Sequence, residues 1–313
     1  MKKLYSLVVA LLALGFVACV SSGEGDIAPA LPTDITLSVG IADGTSRVQL
    51  GEKNTNGIYP AYWNEGDRIS VNGYISEVAQ IDAENGALAQ FEVKSAVLNY
   101  PYNVLYPASA EGVVSIPAVQ NYCKGSFESG TAPMYGVAKS NESVQLNHLS
   151  GVMRFAFKGA VTLESMTVMA GQGYVAGGFA VDFATGALTP SSTATSTIEY
   201  SFGNGLTLSD EEQEFFLVMP SGDFGICSVE LRTTAGEMMI VRFNTAGTSA
   251  VKAGVVRIFG TATFKAGTTC TLEPFGVEEG ELDIDESRYA TCPTTFDGDY
   301  LVVNTPREFL WLC

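Results

Sequence analysis

Along most of this chain the apolar residues recur with a period of two. Ile35, Leu37, Val39 and Ile41 share one side of a stretch whose other side is Thr36, Ser38 and Gly40, which predicts a half-buried strand. A polar loop, Asp43 to Arg47, ends it. Beyond the turn residues Tyr62 to Asp67, strands are predicted at Arg68 to Tyr74 (RISVNGY), Ala89 to Val93, Asn103 to Tyr106, Val113 to Ile116 and Ala132 to Ala138. Leu146 to Lys158 (LNHLSGVMRFAFK) then restarts the pattern, with Val152, Phe155 and Phe157 apolar and Arg154 and Lys158 polar. Alternation returns at Val161 to Met169, Gly178 to Phe183 and Thr197 to Phe202, and Glu214 to Met219 is a continuous apolar run stopped by Pro220. Ser228 to Arg232, Met238 to Phe243 and Val255 to Phe264 complete the series.

Gly, Pro and Asn separate these strands at intervals of roughly ten residues, the rhythm of β-sandwiches and not of βαβ units. The expected fold is all-β, with two tandem sandwiches over 33–142 and 143–267 and Leu146 to Lys158 opening the second. Residues 268–313 break the pattern as an acidic tail or the start of a further unit. Glu278 to Glu286 is acidic, Tyr300 to Val303 reads as one short strand, and Thr305, Pro306 and Glu308 read as a helix start.

The N-terminus follows another pattern. Lys2 and Lys3 precede an apolar run, Leu4 to Val17, and then Ala18 and Cys19. The run is shorter than the ~20 residues of a bilayer helix, so 1–18 reads as a secretory signal peptide. Phe16-Val17-Ala18-Cys19 resembles a bacterial lipobox, with Cys19 as the acylated residue. Residues 19–32, rich in Ser, Gly, Pro and acid, form a linker. No later segment is long and apolar enough to span a bilayer as a helix.

Charge narrows the functions. The net charge is −17, from 17 basic and 34 acidic residues, and no basic cluster offsets it, so nucleic acid is excluded as a partner. Six cysteines with no CxxC pair and one histidine argue against a zinc site. Cys270 and Cys292 are a candidate bridge; the alternative is that Cys123, Cys227, Cys270, Cys292 and Cys313 are all unpaired or buried thiols. A nucleophile-histidine arrangement has only His148 to use, and that residue borders an apolar strand, where a structural role is expected. Gly171 to Ala176 fits GxGxxA in form, but a strand follows where a dinucleotide site needs a helix. Asp283, Asp285 and Ser287 begin like a calcium loop, yet Arg288 replaces its glycine; Asp297 and Asp299 are a looser alternative. Trp63, Tyr100 and Tyr102 are either sugar-stacking platforms or core. No catalytic, cofactor or metal residues are expected, and an enzyme is not.

Three segments, in order and spacing, carry a family resemblance: Val104 to Ala110 (VLYPASA), Ile116 to Tyr122 (IPAVQNY) and Leu146 to Phe155 (LNHLSGVMRF). Together they resemble the fimbrillin family, lipoprotein pilins built from two transthyretin-like β-sandwiches. The resemblance spans about residues 33–265 and excludes the tail. It implies a subunit lipid-anchored at Cys19 to the outer membrane, later found in a surface fimbrium. It also implies that a processing protease cuts after Arg47, the basic residue of the loop after the first strand. The freed groove would take a strand from another fimbrial subunit. Val255 to Phe264 is a strong C-terminal strand for such donation, but the acidic tail suits a tip or accessory subunit better. The ligand would be a host or bacterial surface molecule. The alternative expectation is a monomeric surface lipoprotein that binds glycans or host proteins.

Overall fold

The structure, a computed structural model, describes residues 32–41, 62–140, 143–278, 295–297 and 300–302. The first half contains β1 (Thr33–Ile41), β2 (Ser70–Val71), β3 (Tyr74–Ile75), β4 (Gln80–Ile81), β5 (Leu88–Ala96) and β6 (Tyr102–Tyr106). Then come β7 (Val113–Ile116), β8 (Val119–Asn121), β9 (Met134–Ala138) and β10 (Ser143–His148). The second half runs through β11 (Ser150–Lys158), β12 (Thr162–Met169), β13 (Gly177–Val181), β14 (Leu188–Pro190), β15 (Thr197–Thr207) and β16 (Gln213–Pro220). It continues through β17 (Ile226–Thr233), β18 (Met238–Asn244), β19 (Val256–Thr263), β20 (Thr269–Leu272) and β21 (Pro274–Glu278). A hairpin of β22 (Thr295–Asp297) and β23 (Tyr300–Val302) follows. The all-β expectation holds: among the described residues the one helical element is a 3-10 turn at Gly247–Ser249.

The first sandwich is a single 8-stranded sheet, in the order β3-β2-β6-β9-β10-β1-β5-β4. It curls over one core, since Leu37, Val39, Phe91 and Val93 from one end meet Ile69, Val71, Val104 and Met134 from the other. The stretch read as one strand, Arg68 to Tyr74, is instead a tight hairpin. Asn72 and Gly73 both take positive φ, 48° and 87°, the twist that joins short antiparallel strands.

The second sandwich packs a 4-stranded sheet, β16-β11-β19-β21, on a 6-stranded sheet, β20-β18-β17-β12-β15-β8. Met153, Phe155 and Phe157 on one face of β11 join Phe215, Val229, Phe243 and Phe259 in its core. The opposite face of the 4-stranded sheet is buried too. Val152, Phe216, Val218 and Val256 form a third core with Val114, Ile116 and Phe179 of a 3-stranded sheet, β14-β13-β7. Burial on both faces is why Glu214 to Met219 reads as a continuous apolar run and not as alternation.

The two halves repeat one arrangement. Each has its first strand between a parallel and an antiparallel neighbour: β1 lies between β10 and β5, and β11 between β19 and β16. The boundary expected at 142/143 moves, because residues 143–148 pair inside the first sheet and the junction is His148-Leu149-Ser150. Residues 113–121, assigned by sequence to the first sandwich, pair instead with β13 and β15 of the second half. Residues 269–278, assigned to the tail, add a strand to each sheet of the second sandwich.

Candidate functional site: the slot of the first strand

Strand β1 lies inside a sheet although it is the first strand among the described residues. Along one side it pairs antiparallel with β5, with Leu37 opposite Phe91 and Val39 opposite Ala89. Along the other it pairs parallel with β10, with Val39 opposite Val144 and Ile41 opposite Leu146. Leu37, Val39 and Ile41 point into the core, where each contributes about 2 kcal/mol by leaving water. The outward side carries Ser38 and Gly40, and the Gln145 side chain lies over Gly40. At the outer end the ladder slips between Thr33 and Ile35, and the Asp34 carboxylate accepts a bond from the Ser95 N–H at 2.8 Å.

Each wall of this slot has a second neighbour besides β1. Strand β5 also pairs with β4, and β10 also pairs with β9. The floor is aromatic: Trp63 packs edge-on against Phe91 and Tyr106, with ring centres 5.0 and 5.3 Å away. The Tyr106 hydroxyl donates to Asp67 at 2.9 Å, and the other carboxylate oxygen accepts the Asn64 N–H at 2.7 Å. Burial pushes the Asp67 carboxyl above its ordinary range, against the lowering effect of both hydrogen bonds. Burial and the neighbouring carboxylate push the Tyr106 hydroxyl up. Removing β1 would thus leave a groove with an apolar floor and two unpaired edges, a shape that binds an extended strand.

Of the aromatics considered as sugar platforms, Trp63 and Tyr102 are core; Tyr100 is half exposed and stacks on Tyr102 at 4.1 Å. His148 is buried at the junction of the sandwiches, opposite Met134 and beside Gly254. Gly171 to Ala176 is a loop crossing from the 6-stranded to the 3-stranded sheet, and strand β13 follows it. The strands that flank it, β12 and β13, belong to different sheets. Strand β19, the candidate donor, is held inside its own sandwich by β11 on one edge and β21 on the other. Cys123, Cys227 and Cys270 are free thiols. Burial raises all three above the ordinary thiol value.

No group of three or more His, Cys, Asp or Glu side chains suited to a metal occurs among the described residues. Cys19, Arg47, Asp283, Asp285, Ser287, Asp299, Cys292, Thr305 and Cys313 lie outside the described residues, and the Asp297 side chain is not described.

No protein-family model and no curated protein matches the sequence. Among solved structures, the chain is similar to a "putative cell adhesion protein" from Bacteroides ovatus ATCC 8483. The two share 15% identity at a TM-score of 0.45, over 79% of this chain and 97% of that one. A protein of the same description from Bacteroides fragilis NCTC 9343 shares 12% identity at a TM-score of 0.41, over 76% and 92%. A "putative adhesin" from Bacteroides ovatus ATCC 8483 shares 10% identity at 0.31, over 75% and 91%.

Sequence reasoning found β1 and its alternation but missed the partners that define the slot. It also missed Gln120, a buried amide bonded to the backbone of β16. No periodic pattern marks that residue, which looks like an ordinary polar position in a short strand.

Proposed function

We propose that this chain is a non-enzymatic fimbrial subunit of the bacterial surface, made as a lipid-anchored precursor and assembled by exchange of its first strand, and that it serves adhesion. The observation that carries the reading is the position of β1. It is the first strand among the described residues, it lies between two strands that are paired elsewhere, and three aliphatic side chains bind it to the core. A cut after Arg47 severs β1 from the rest of the sandwich. The resemblance of Val104 to Ala110, Ile116 to Tyr122 and Leu146 to Phe155 to fimbrillins supports the same reading, as does the lipobox-like sequence ending at Cys19. Its partners would be other fimbrial subunits, a processing protease, the outer membrane through the lipid, and a surface ligand.

Engagement of β19 on both edges favours a place at the tip or as an accessory subunit. A strand paired on both edges must leave both ladders before another copy can receive it. Mild trypsin treatment of the purified chain tests the proposal. A new N-terminus at Val48, release of the β1 peptide and SDS-resistant oligomers are expected. A trimmed chain that stays monomeric at high concentration would reject strand exchange and favour a monomeric surface lipoprotein. Replacing Cys19 with Ala is expected to abolish incorporation of labelled fatty acid; persistent label would reject the anchor.

A further inference from the structure

The IPAVQNY segment has no part in the slot, yet it is bonded to both sheets of the second sandwich. It lies between β6 and β9 of the first sandwich but is built into the second. Val119, Gln120 and Asn121 run parallel to Glu199, Tyr200 and Ser201 at the edge of the 6-stranded sheet. The Glu199 N–H donates to Ala118 and the Tyr122 N–H to Ser201, at 2.8 and 2.9 Å. The Gln120 side chain reaches the other sheet: its amide nitrogen donates to the Val218 carbonyl at 2.8 Å, and its oxygen accepts the Val218 N–H at 2.9 Å. One buried side chain thereby pairs both backbone groups of Val218 at the edge of β16, as a neighbouring strand would. Tyr122 adds a hydroxyl that accepts from Gln213 at 3.1 Å and a ring against Phe215. On either side of this segment, Val114, Ile116, Phe127 and Ala132 sit in the third core with Leu105 of β6 and Val152, Phe216 and Val256 of the second half.

We propose that residues 113–132 are a clasp that locks the two sandwiches into one cooperative unit, with the Gln120 amide as its latch. The covalent junction at Leu149 alone would allow a hinge. The clasp adds a second connection, in which strand pairing, a two-point amide bond and a shared apolar core must all open together before the sandwiches can move apart. The β9–β10 wall of the slot is then held from both ends by the second sandwich, because β9 follows the clasp and β10 runs directly into β11. This inference stands on the pairing and burial of 113–132 and holds whether or not β1 is exchanged.

The test is native-state hydrogen exchange and calorimetry on the full chain. In the wild type, amides of β9 and β10 and amides of β12 and β17 are expected to merge into one opening reaction as urea rises, with one thermal transition. Gln120→Ala leaves the Val218 backbone groups unpaired in a buried place. It is expected to split the transition in two and to speed exchange in β8 and β16 by about tenfold or more. Val114→Ala loosens the same clasp through the third core with no polar group left unpaired, and the same split is expected from it; it decides the matter if Gln120→Ala does not fold. Two separate transitions already present in the wild type would overturn the proposal. So would a single transition kept in the variants, with protection lowered evenly across the molecule.

Discussion

Asp67 is a buried carboxyl group in an apolar sandwich, bonded to the Tyr106 hydroxyl and the Asn64 N–H. Its pKa is raised chiefly by desolvation, which sets the sign of a pH effect. Between the ordinary carboxylate value and the raised one, the folded chain keeps a proton that the unfolded chain has released. The contribution of Asp67 to stability is therefore full below the ordinary value and is lost as pH rises through the raised one. An Asp67→Asn variant, which does not charge, is expected to gain stability relative to the wild type over that rise, as measured by paired urea titrations from about pH 3 to about pH 7. A difference that stays flat with pH would mean that solvent reaches the carboxyl freely. Single residues were unevenly legible in the sequence. Trp63 was open to two readings, and only its enclosure by Phe91 and Tyr106 decided for the core. Asn72-Gly73 carried a hairpin signal that the alternation around it obscured, because two short strands joined by a two-residue turn keep the same apolar spacing.

Strand β1 is the element on which the proposed function rests. Leu37 is fully buried in the uncut chain, so Leu37→Ala is expected to lower stability by about 2–5 kcal/mol, read from denaturant unfolding of the uncut protein. If strand exchange is correct, the trimmed and assembled form has lost β1, and the same substitution is expected to leave its stability unchanged. An equal loss in both forms would show that β1 stays in place. Most elements were legible. The alternation of β1, β5 and β12 was visible because each has one face in a core and one turned outward. The apolar run of β16 was visible too, but its cause was not: both faces are covered only because β7 and β13 fold over the outer one.

At the scale of the whole molecule, charge and connectivity act together. A net charge of −17 makes each encounter between copies repulsive. Association of trimmed chains, followed by light scattering, is therefore expected to speed up by on the order of tenfold between about 20 and 200 mM salt. A rate that falls with salt would point instead to complementary charged patches. The division into two sandwiches was legible in the restart of the strand rhythm near Leu149, while the path of 113–121 into the second sandwich was not. Strand spacing reports how often the chain turns and is silent on which sheet a strand joins.

By itself the sequence determined the all-β class, the first strand and its buried side, the acidic character of the chain, and the restart near the middle. All of these follow from local rules, the period of two and the turn residues between strands. That β1 lies between β10 and β5, that β19 is paired on both edges in its own sandwich, and that Gln120 pairs with Val218 of β16 became visible in the folded chain alone. These are pairings between residues far apart in the chain. They are selected by which edges and apolar faces remain to be covered once every strand is present, and no local stretch carries that information.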